Sequence, residues 1–412
     1  MKSLPAILFV LAMLSAFASS ARMHYSGQVA IHPSEGSLDA ELHVSMTTSK
    51  STLVFLLSGG LELAEVTGKD VQGFDSEPME PGATWDRITV RLKPTRGTED
   101  VTLTFRYGGQ PVMPQNGINQ ISSDWVELTL DSAWHPILAT LAHQFTLDIS
   151  VDLPTNWSFV TSGNAVVARN RWHITNQIPQ TDIAFVAAPG LSREERGGYV
   201  VYHRDETPDT VNAVLDAALA CRAYLDSRFG EERPLPDGRF VITSRETGGF
   251  ARKNFISLTR VAGRSKERLT AFLCHELAHF WSTGARPLSV ENWLNESFAV
   301  FVAARATREM FGEHAYKDQL ADWRKRAAGQ PSIWTPEDST RRPFEVNYKK
   351  GPLALHRLAE RIGEERFSGL LREYMTAPIN TTPALLDALE RRTNAETRKW
   401  FESVLAENEA DP

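Results

Sequence analysis

The pattern of hydrophobic and polar residues changes character about halfway along the chain. From residue 22 to about residue 195, short apolar runs such as STLVFLL, VTLTFRY and HQFTLDISVDL recur, and Gly, Pro, Asn and Asp separate them. Runs of this length are typical of strands. Many short strands with turn residues between them predict an antiparallel β-sandwich over residues 22–195.

Helical spacing begins near Arg204. The segment DTVNAVLDAALACRAYLDSRFG has apolar residues every three to four positions and ends at Gly230, whereas GRFVITS and NFISLTR predict two strands. Helices dominate the remaining chain, and the pattern predicts them over about 265–283, 289–312, 314–328, 350–376 and 382–407. We therefore predict an α+β multidomain chain whose second domain, residues 196–412, has a small sheet and a helical C-terminal lobe.

The first residues have the pattern of a targeting segment. Lys2 precedes an apolar stretch, Leu4–Phe17, and small residues follow it. The stretch is shorter than the ~20 apolar residues that a membrane span needs, so a cleaved signal peptide over residues 1–21 is favoured over a membrane anchor. We predict an exported protein, periplasmic or extracellular and of bacterial type. No later segment has 18 uninterrupted apolar residues, so no transmembrane segment is expected in the mature chain.

Composition narrows the class of protein and its partners. The chain has 412 residues and 42% hydrophobic content, enough for two or three domains. The net charge is −7 and no long basic run occurs, which argues against a nucleic-acid partner. Only Cys221 and Cys274 are present, so there is no disulfide framework. We expect two buried free thiols, although an exported protein could join them in one bridge.

The segment FLCHELAHFW, residues 272–281, holds the strongest candidate chemistry. On a helix that turns about 100° per residue, Glu276 lies about 100° and His279 about 40° from His275. Two imidazoles one turn apart can bind a single ion, and the carboxylate beside them can reach a water molecule at that ion. The pattern also arises by chance. Cys274 points about 100° away from His275, which disfavours a closed structural site.

A catalytic zinc site of this kind needs a third protein ligand. Glu296 lies in the first half of the next predicted helix, with Ala299 and Ala303 on the same face. Small residues allow two helices to approach closely, so the Glu296 carboxylate could reach an ion held by the first helix. The ordinary alternative is an exposed carboxylate. The apolar neighbours Trp293 and Phe298 argue against it, because a carboxylate without a partner avoids such surroundings.

Together, HELAH and the later WLNESFA resemble the motifs of the gluzincin metallopeptidases of the membrane alanyl aminopeptidase (leukotriene hydrolase-like) family, whose second motif is typically W-L-N-E-G-F-A. The family usually places eighteen residues between the second His and the Glu, whereas sixteen, residues 280–295, lie there in this chain. The shortening should fall in the loop 284–290. WHPIL at 134–138 and VNYKKGPLAL at 346–355 also resemble family segments.

The resemblance implies a fold and a role for each site residue. It implies that a thermolysin-like zinc metallopeptidase domain follows the β-sandwich, and that His275, His279 and Glu296 bind one Zn²⁺. Glu276 would act as general base. Tyr348 matches the family's catalytic tyrosine and would stabilise the oxyanion; the alternative for Tyr348 is a packed aromatic residue.

One segment departs from the family. Its aminopeptidases carry a G-x-M-E-N motif whose Glu binds the α-amino group of the substrate. GGFARKNFISL, residues 248–258, aligns with that motif, and Ala251 stands in place of the Glu and Arg252 in place of the Asn. We expect Gly248, Gly249 and Arg252 to contact substrate, with Arg252 favouring an anionic group. The alternative is an Arg252 side chain that extends into solvent.

These observations predict an exported zinc metallopeptidase that acts on peptides or small proteins, and leave open whether it is an aminopeptidase or an endopeptidase. Two alternatives remain. One is a peptide-binding scaffold whose peptidase-like domain has lost turnover, and the other is a hydrolase of a non-peptide bond. Glu276 and Tyr348 disfavour the scaffold, since a protein that only binds needs neither. Nothing in the pattern indicates an oligomeric state.

Overall fold

The computed structural model describes residues 23–80, 82–94, 97–115, 117–141, 143–245, 248–282 and 284–408. The predicted signal peptide, residues 1–21, lies outside these ranges. Within them, no helix is both long and apolar enough to cross a membrane.

Fifteen strands form the N-terminal part of the described chain and lie in three sheets. Their order is β13-β14-β11-β1-β2-β7-β4 in the first sheet, β10-β3-β6-β5 in the second and β12-β15-β9-β8 in the third. The strands are β1 (Met23–His32), β2 (Ser37–Thr48), β3 (Thr52–Ser58), β4 (Leu61–Thr67), β5 (Val71–Pro78), β6 (Trp85–Leu92), β7 (Glu99–Gly109), β8 (Gln120–Ser122), β9 (Trp125–Leu128), β10 (Ile137–Leu138), β11 (Phe145–Asp152), β12 (Trp157–Thr161), β13 (Asn164–Ala168), β14 (Arg171–Gln180) and β15 (Phe185–Pro189).

Alternation along the strands builds the core of this part. In β2 every second side chain is buried, and Leu42 lies opposite the buried Phe105 of β7. The predicted sandwich is therefore confirmed as a β-rich domain, with one difference in strand direction. β1 pairs in parallel with β11, starting from Met23 opposite Phe145. Strand direction is set by a long connection, which the alternation of side chains does not encode.

The second part has a five-stranded sheet of order β16-β17-β18-β20-β19, covered by helices. The predicted boundary after residue 195 falls inside β16, which pairs with β17, so the change of sheet lies near residue 190. The strands are β16 (Ser192–Arg196), β17 (Tyr199–His203), β18 (Gly238–Ile242), β19 (Phe250–Arg252) and β20 (Phe255–Leu258). The helices are α1 (Pro208–Phe229), α2 (Lys266–Ala278), α3 (Asn292–Phe311), α4 (Glu313–Ala327), α5 (Gly351–Ile362), α6 (Glu364–Thr376), α7 (Thr382–Arg392) and α8 (Ala395–Ala406).

The single helix predicted over 350–376 is two helices. Gly363 has a φ of 81° and separates α5 from α6. This left-handed conformation is accessible to glycine at little cost, so the chain turns there although the apolar spacing continues on both sides.

The expectation of free thiols is wrong, because Cys221 of α1 and Cys274 of α2 form a disulfide. The two helices pack side by side with these Cα atoms 5.1 Å apart, within the range that a disulfide can span. Both cysteines are fully buried. Sequence spacing could not show that two residues 53 positions apart meet on neighbouring helices.

The third sheet joins the two parts. Trp125, Val160 and Val186 pack against Val241 and Phe255 of the five-stranded sheet in one hydrophobic cluster. A buried ion pair crosses the same boundary, where Nη2 of Arg245 lies 2.7 Å from Oε1 of Glu127. This contact fixes the wall of a cleft between the β-rich part and the helices.

Candidate active site

The helix α2 carries both histidines of the HELAH segment. Ser265 caps it by accepting a hydrogen bond from the backbone N–H of Arg268 at 3.4 Å. His275 lies in the last turn and His279 at the C-cap, so both rings project from the end of the helix. Their Nε2 atoms are 3.2 Å apart.

The helix α3 brings Glu296 to the same point. Its Oε2 atom lies 3.7 Å from Nε2 of His275 and 3.5 Å from Nε2 of His279. Ala299 and Ala303 of α3 are buried, so the small residues lie in the packed interior, as the sequence indicated. The structure therefore brings together the three side chains predicted as ligands.

The triangle of donor atoms fits a tetrahedral zinc ion. Bonds of about 2.0–2.1 Å place tetrahedral ligand atoms about 3.3 Å apart, close to the three separations in the site. Oε2 of Glu296 is buried without a hydrogen-bond partner among the described residues, as expected for an atom that faces a cation. Nδ1 of His279 lies 3.4 Å from the carbonyl oxygen of Ser282, an orientation that leaves Nε2 free for a metal.

Glu276 lies next to the triangle without forming part of it. One of its oxygens lies within 4.8 Å of an imidazole nitrogen of each histidine. The contacts of 3.7 and 3.5 Å from Oε2 of Glu296 to the two Nε2 atoms make Glu296 the third ligand candidate. Glu276 then has the place of a carboxylate that reaches a water molecule at the ion.

Burial and mutual charge set the electrostatics of these four side chains. Burial lowers the pKa of His275 to about 3 and raises the pKa of Glu276 to about 7. Burial disfavours the charged form of His279, but the Glu296 carboxylate outweighs it and raises the pKa of His279 to about 9. Burial likewise opposes ionisation of Glu296, yet the two histidines lower its pKa to about 2. The triangle is thus built to hold positive charge beside Glu296.

Tyr348 approaches the same histidine from a π-helical turn, Val346–Lys350. Its ring centroid lies 5.6 Å from that of His275, and the ring of Phe344 stacks on it at 4.3 Å and an interplanar angle of 12°. Burial, and then the charge of Glu296, raise the pKa of Tyr348, so its hydroxyl keeps its proton. π-Helical turns are frequent at functional sites. Sequence reasoning found Tyr348 but missed Phe344, although the aromatic spacing F-x-x-x-Y was visible.

Contacts from three sides hold the π-helical turn. Ser297 of α3 donates from Oγ to the carbonyl oxygen of Asn347 at 2.7 Å. Nζ of Lys350 donates to three backbone carbonyls, including that of Glu407 at 2.7 Å. Gly351 leaves room for Ser297, because a Cβ at residue 351 would overlap the Ser297 hydroxyl. The residue after Glu296 therefore positions the segment that carries Tyr348.

The two glycines predicted to contact substrate lie where β19 crosses α2. Gly248 has a φ of +83°, and its carbonyl oxygen accepts a hydrogen bond from Nη1 of Arg245 at 2.6 Å. A Cβ at Gly249 would lie 2.7 Å from the Phe272 ring of α2. Gly249 thus leaves room for the α2 helix, whereas a Cβ at Gly248 would meet the side chain of Ile118, and its positive φ favours glycine.

Arg252 has neither of the surroundings expected for it. Its Nε donates to Oδ2 of Asp182 at 2.6 Å, and the Asp182 side chain is fully buried. Burial raises the pKa of Asp182 to about 6, although the Arg252 charge opposes this shift. The Arg252 charge is therefore neutralised inside the protein, and it neither extends into solvent nor stands free to attract an anion. Sequence reasoning missed Asp182, which lies 70 residues earlier in the chain.

The three ligand candidates line one cleft of about 410 Å³ between the β-rich part and the helices, together with Glu276, Tyr348, Gly249 and Arg252, whereas Gly248 does not line it. The volume is at the lower end of the ~300–1,000 Å³ typical of small-molecule sites, so it suits a short stretch of peptide better than a folded protein. The lining includes the catalytic candidates, the β19 wall and the loop 284–288.

Comparisons with known proteins agree with this geometry. Residues 250–404 match the peptidase family M1 domain. Aminopeptidase N of Streptomyces lividans is 27% identical over 172 residues, which is 37% of this chain and 20% of that protein. The probable aminopeptidase 2 of Sulfurisphaera tokodaii is 23% identical over 233 residues, 49% of this chain and 27% of that protein. The chain thus matches only about a fifth to a quarter of the length of these curated relatives.

Solved structures share the architecture over almost the whole chain. The M1 zinc metallopeptidase from Deinococcus radiodurans superposes with a TM-score of 0.74 at 20% identity and covers 95% of both chains. Leukotriene A4 hydrolase from Saccharomyces cerevisiae superposes with a TM-score of 0.72 at 16% identity, over 95% of this chain and 68% of that one. At such identities the likeness concerns the fold. Residues 250–404 therefore match the peptidase family M1 domain, and the chain has the two-part fold of the M1 zinc metallopeptidase from Deinococcus radiodurans.

Proposed function

We propose that this protein is a zinc metallopeptidase that hydrolyses peptide bonds. One observation carries the proposal: two imidazole nitrogens and one carboxylate oxygen lie 3.2–3.7 Å apart in a cleft, with Glu276 and Tyr348 beside them. A scaffold protein needs none of this arrangement. The aminopeptidase names of the matched relatives agree with the proposal.

The proposed zinc ligands are Nε2 of His275, Nε2 of His279 and the carboxylate of Glu296. When bound, zinc supplies a Lewis acid that polarises a carbonyl group and acidifies a water molecule. The disulfide between Cys221 and Cys274 ties the helix that carries both histidines to α1. The ligands are thereby supported by rigid elements, which keeps their geometry fixed.

In this proposal Glu276 transfers a proton, and Tyr348 stabilises the negative charge that develops on the carbonyl oxygen. Glu276 accepts a proton from the attacking water and passes it to the nitrogen of the leaving amine. Tyr348 keeps its proton and donates a hydrogen bond to the carbonyl oxygen as negative charge develops there. Loss of such a donor typically costs ~10²–10³ in rate.

An aminopeptidase mode is compatible with Ala251, despite the missing family Glu. The carboxylates of Asp131 and Asp182 both line the cleft beside β19, and Oδ1 of Asp182 is buried with no hydrogen-bond partner among the described residues. In this mode Oδ1 of Asp182 accepts a hydrogen bond from the substrate ammonium group, while Oδ2 keeps its contact with Arg252. Turnover of one peptide with a free and with an acetylated N-terminus measures the preference. Equal rates would establish endopeptidase action instead.

We also propose that residues 1–21 direct export and are then removed. The support is the sequence pattern alone. Expression of the full chain in a bacterium, fractionation, and N-terminal sequencing of the purified protein test this. A protein that stays in the cytoplasm with its first residues intact would refute it.

The central experiment compares the wild type with Glu276→Gln, with Glu267→Gln at the exposed start of the same helix as matched control. Zinc content is measured by mass spectrometry and turnover with a quenched peptide library. We expect one zinc per chain in all three proteins and a loss of ~10²–10⁴ in rate for Glu276→Gln only. Zinc without turnover in the wild type would favour the scaffold, and turnover only of non-peptide substrates would favour the other hydrolase.

A further inference from the structure

Two loops meet at the mouth of the cleft on the side of Tyr348. Ser289 and Thr340 form an isolated antiparallel bridge, and the N–H of Val290 donates to the carbonyl oxygen of Ser339 at 3.2 Å. In antiparallel pairing this register places Leu288 opposite Arg341. The bridge therefore joins the segment 284–290 to the segment that leads to Tyr348.

Two arginines of these loops, Arg286 and Arg341, line the cleft. Arg286 and Arg341 are exposed, and neither guanidinium group has a hydrogen bond or an ion pair within the part of the chain that the structure describes. The adjacent Arg342 behaves differently, since it bonds to Asp338 and donates to Ser332 at 2.8 Å. Arg342 anchors the loop through these contacts. The guanidinium N–H groups of Arg286 and Arg341 remain available to a substrate bound in the cleft.

The charged residues that line the cleft differ between its two sides. Asp131, Asp182 and the paired Arg252 lie on the side of Glu276, where Arg252 acts electrostatically on Glu276. Arg341 lies on the side of Tyr348 and acts electrostatically on its hydroxyl. The side of Glu276 therefore carries charges of both signs, since Lys253 also lines it, whereas the loop residues that line the cleft on the side of Tyr348 add only positive charge.

An exposed apolar side chain accompanies the two cations. Leu288 lines the same part of the cleft and is 55% exposed. An Arg–Leu–Arg surface suits a group with an apolar stem and an anionic end. The planar guanidinium matches a carboxylate in a bidentate manner, which makes the carboxylate the chemical class that these residues recognise.

We propose that Arg286 and Arg341 bind a carboxylate of the peptide substrate, and so make the protein selective for peptides that carry a negative charge on the Tyr348 side of the scissile bond. This inference rests on the proposed peptidase function. The carboxylate has two sources, the C-terminus of a short peptide or the side chain of Asp or Glu. The cleft volume of about 410 Å³ favours the C-terminus of a di- to tetrapeptide.

Binding to the zinc-loaded Glu276→Gln protein tests the inference apart from turnover. Calorimetry compares Ala-Ala-Ala with its C-terminal amide, and Ala-Ala-Glu amide with Ala-Ala-Gln amide, in this protein and with Arg286→Gln, Arg341→Gln or both added. Exposed ion pairs are individually weak. We therefore expect a preference for the acid of about two- to fivefold from each arginine and about tenfold from both, falling as salt increases.

Two control variants test whether the preference for the acid depends specifically on Arg286 and Arg341. Lys253→Gln removes a cation that lines the opposite wall of the cleft beside Arg233, and Arg366→Gln removes an exposed arginine of α6 that has no ion pair among the described residues. Both should keep the preference. In the active protein, the double arginine variant should raise KM for the acid and leave kcat unchanged, the pattern of lost uniform binding.

The outcomes separate this inference from the proposed function. A preference for the Ala-Ala-Ala acid that disappears in the double variant supports C-terminal recognition, and a preference confined to the Glu peptide supports side-chain recognition. No preference in the parent protein, or an equal preference in the double variant, overturns the inference. If the preference is found but the wild type cleaves no peptide, the carboxylate site stands and the peptidase function fails.

Discussion

Breaking the disulfide between Cys221 and Cys274 should destabilise the helix that carries the zinc site. The bond joins α1 to α2 directly before His275, and both cysteines are fully buried. The closed loop contains β18, β19 and β20, and therefore the wall of the cleft. Opening this loop increases the freedom of the unfolded chain, while the packed helices of the folded state change little.

The loop length gives the magnitude. Cross-linking two positions 53 residues apart removes about 14 cal/mol/K of entropy from the unfolded chain in the loop-closure description. This corresponds to about 4 kcal/mol at 25 °C. A unit of 150–250 residues loses roughly 2–4 °C of melting temperature per kcal/mol, so the catalytic part should melt roughly 8–16 °C lower without the bond.

Calorimetric melting of the zinc-saturated protein measures the effect in three forms: oxidised wild type, wild type reduced with a phosphine, and the Cys221→Ala/Cys274→Ala double variant. The reduced wild type isolates the cross-link, and its difference from the double variant reports packing of the lost sulfurs. Two thiols that react with maleimide in the unreduced protein, or a reduced form that melts with the oxidised one, would refute the reasoning.

Three further predictions concern single side chains. Tyr348→Phe should lower kcat by roughly 10²–10³ with unchanged zinc content, and retention of full kcat would remove Tyr348 from the chemistry. Phe344→Ala should lower kcat by about two- to tenfold, because a stacked aromatic pair contributes ~0.5–1.5 kcal/mol. Phe344→Tyr keeps the stacking and should retain activity. An equal loss of kcat in both variants would contradict stacking as the cause. Burial lowers the pKa of His135 to about 4, below the ~6.5 of the unfolded chain. Between these pH values the unfolded state binds more protons than the folded state. The free energy of unfolding should therefore fall by about 3 kcal/mol as the pH drops from about 6.5 to 4. Urea unfolding of wild type and His135→Phe in EDTA should show a smaller pH dependence for the variant, and parallel curves would contradict it.

The sequence predicts best those features that depend on local spacing. The caps and apolar periodicity of α2, and the interval from His275 to His279, are properties of neighbouring residues. The meeting of Glu296 with the two imidazoles was also predictable, because small residues on α3 and an apolar environment indicated helix contact. Local signals failed where a single conformation breaks a periodic pattern, as at Gly363 between α5 and α6.

Pairings across long intervals could not be predicted in the same way. Cys221 with Cys274, β1 in parallel with β11, and Ser297 beneath the Tyr348 turn each depend on how distant elements pack. A cysteine count allows one bridge or none, and alternation in a strand gives its faces without its direction. These contacts become visible only when the elements are placed in space.

Arg252 shows that the charge inferred from a sequence motif can differ from the net charge of the folded site. An Ala and an Arg where the family has Glu and Asn suggest a reversal from an acidic to a basic subsite. The structure pairs Arg252 with Asp182, whose carboxylate is fully buried and keeps one oxygen without a hydrogen bond among the described residues. A buried guanidinium without such a partner is very costly, so the two residues form one unit. The net charge near Ala251 is therefore set by Asp131 as much as by Arg252. Arg286 and Arg341, which have no ion pair among the described residues, add positive charge at the other end of the cleft, where no sequence motif indicated a charged subsite.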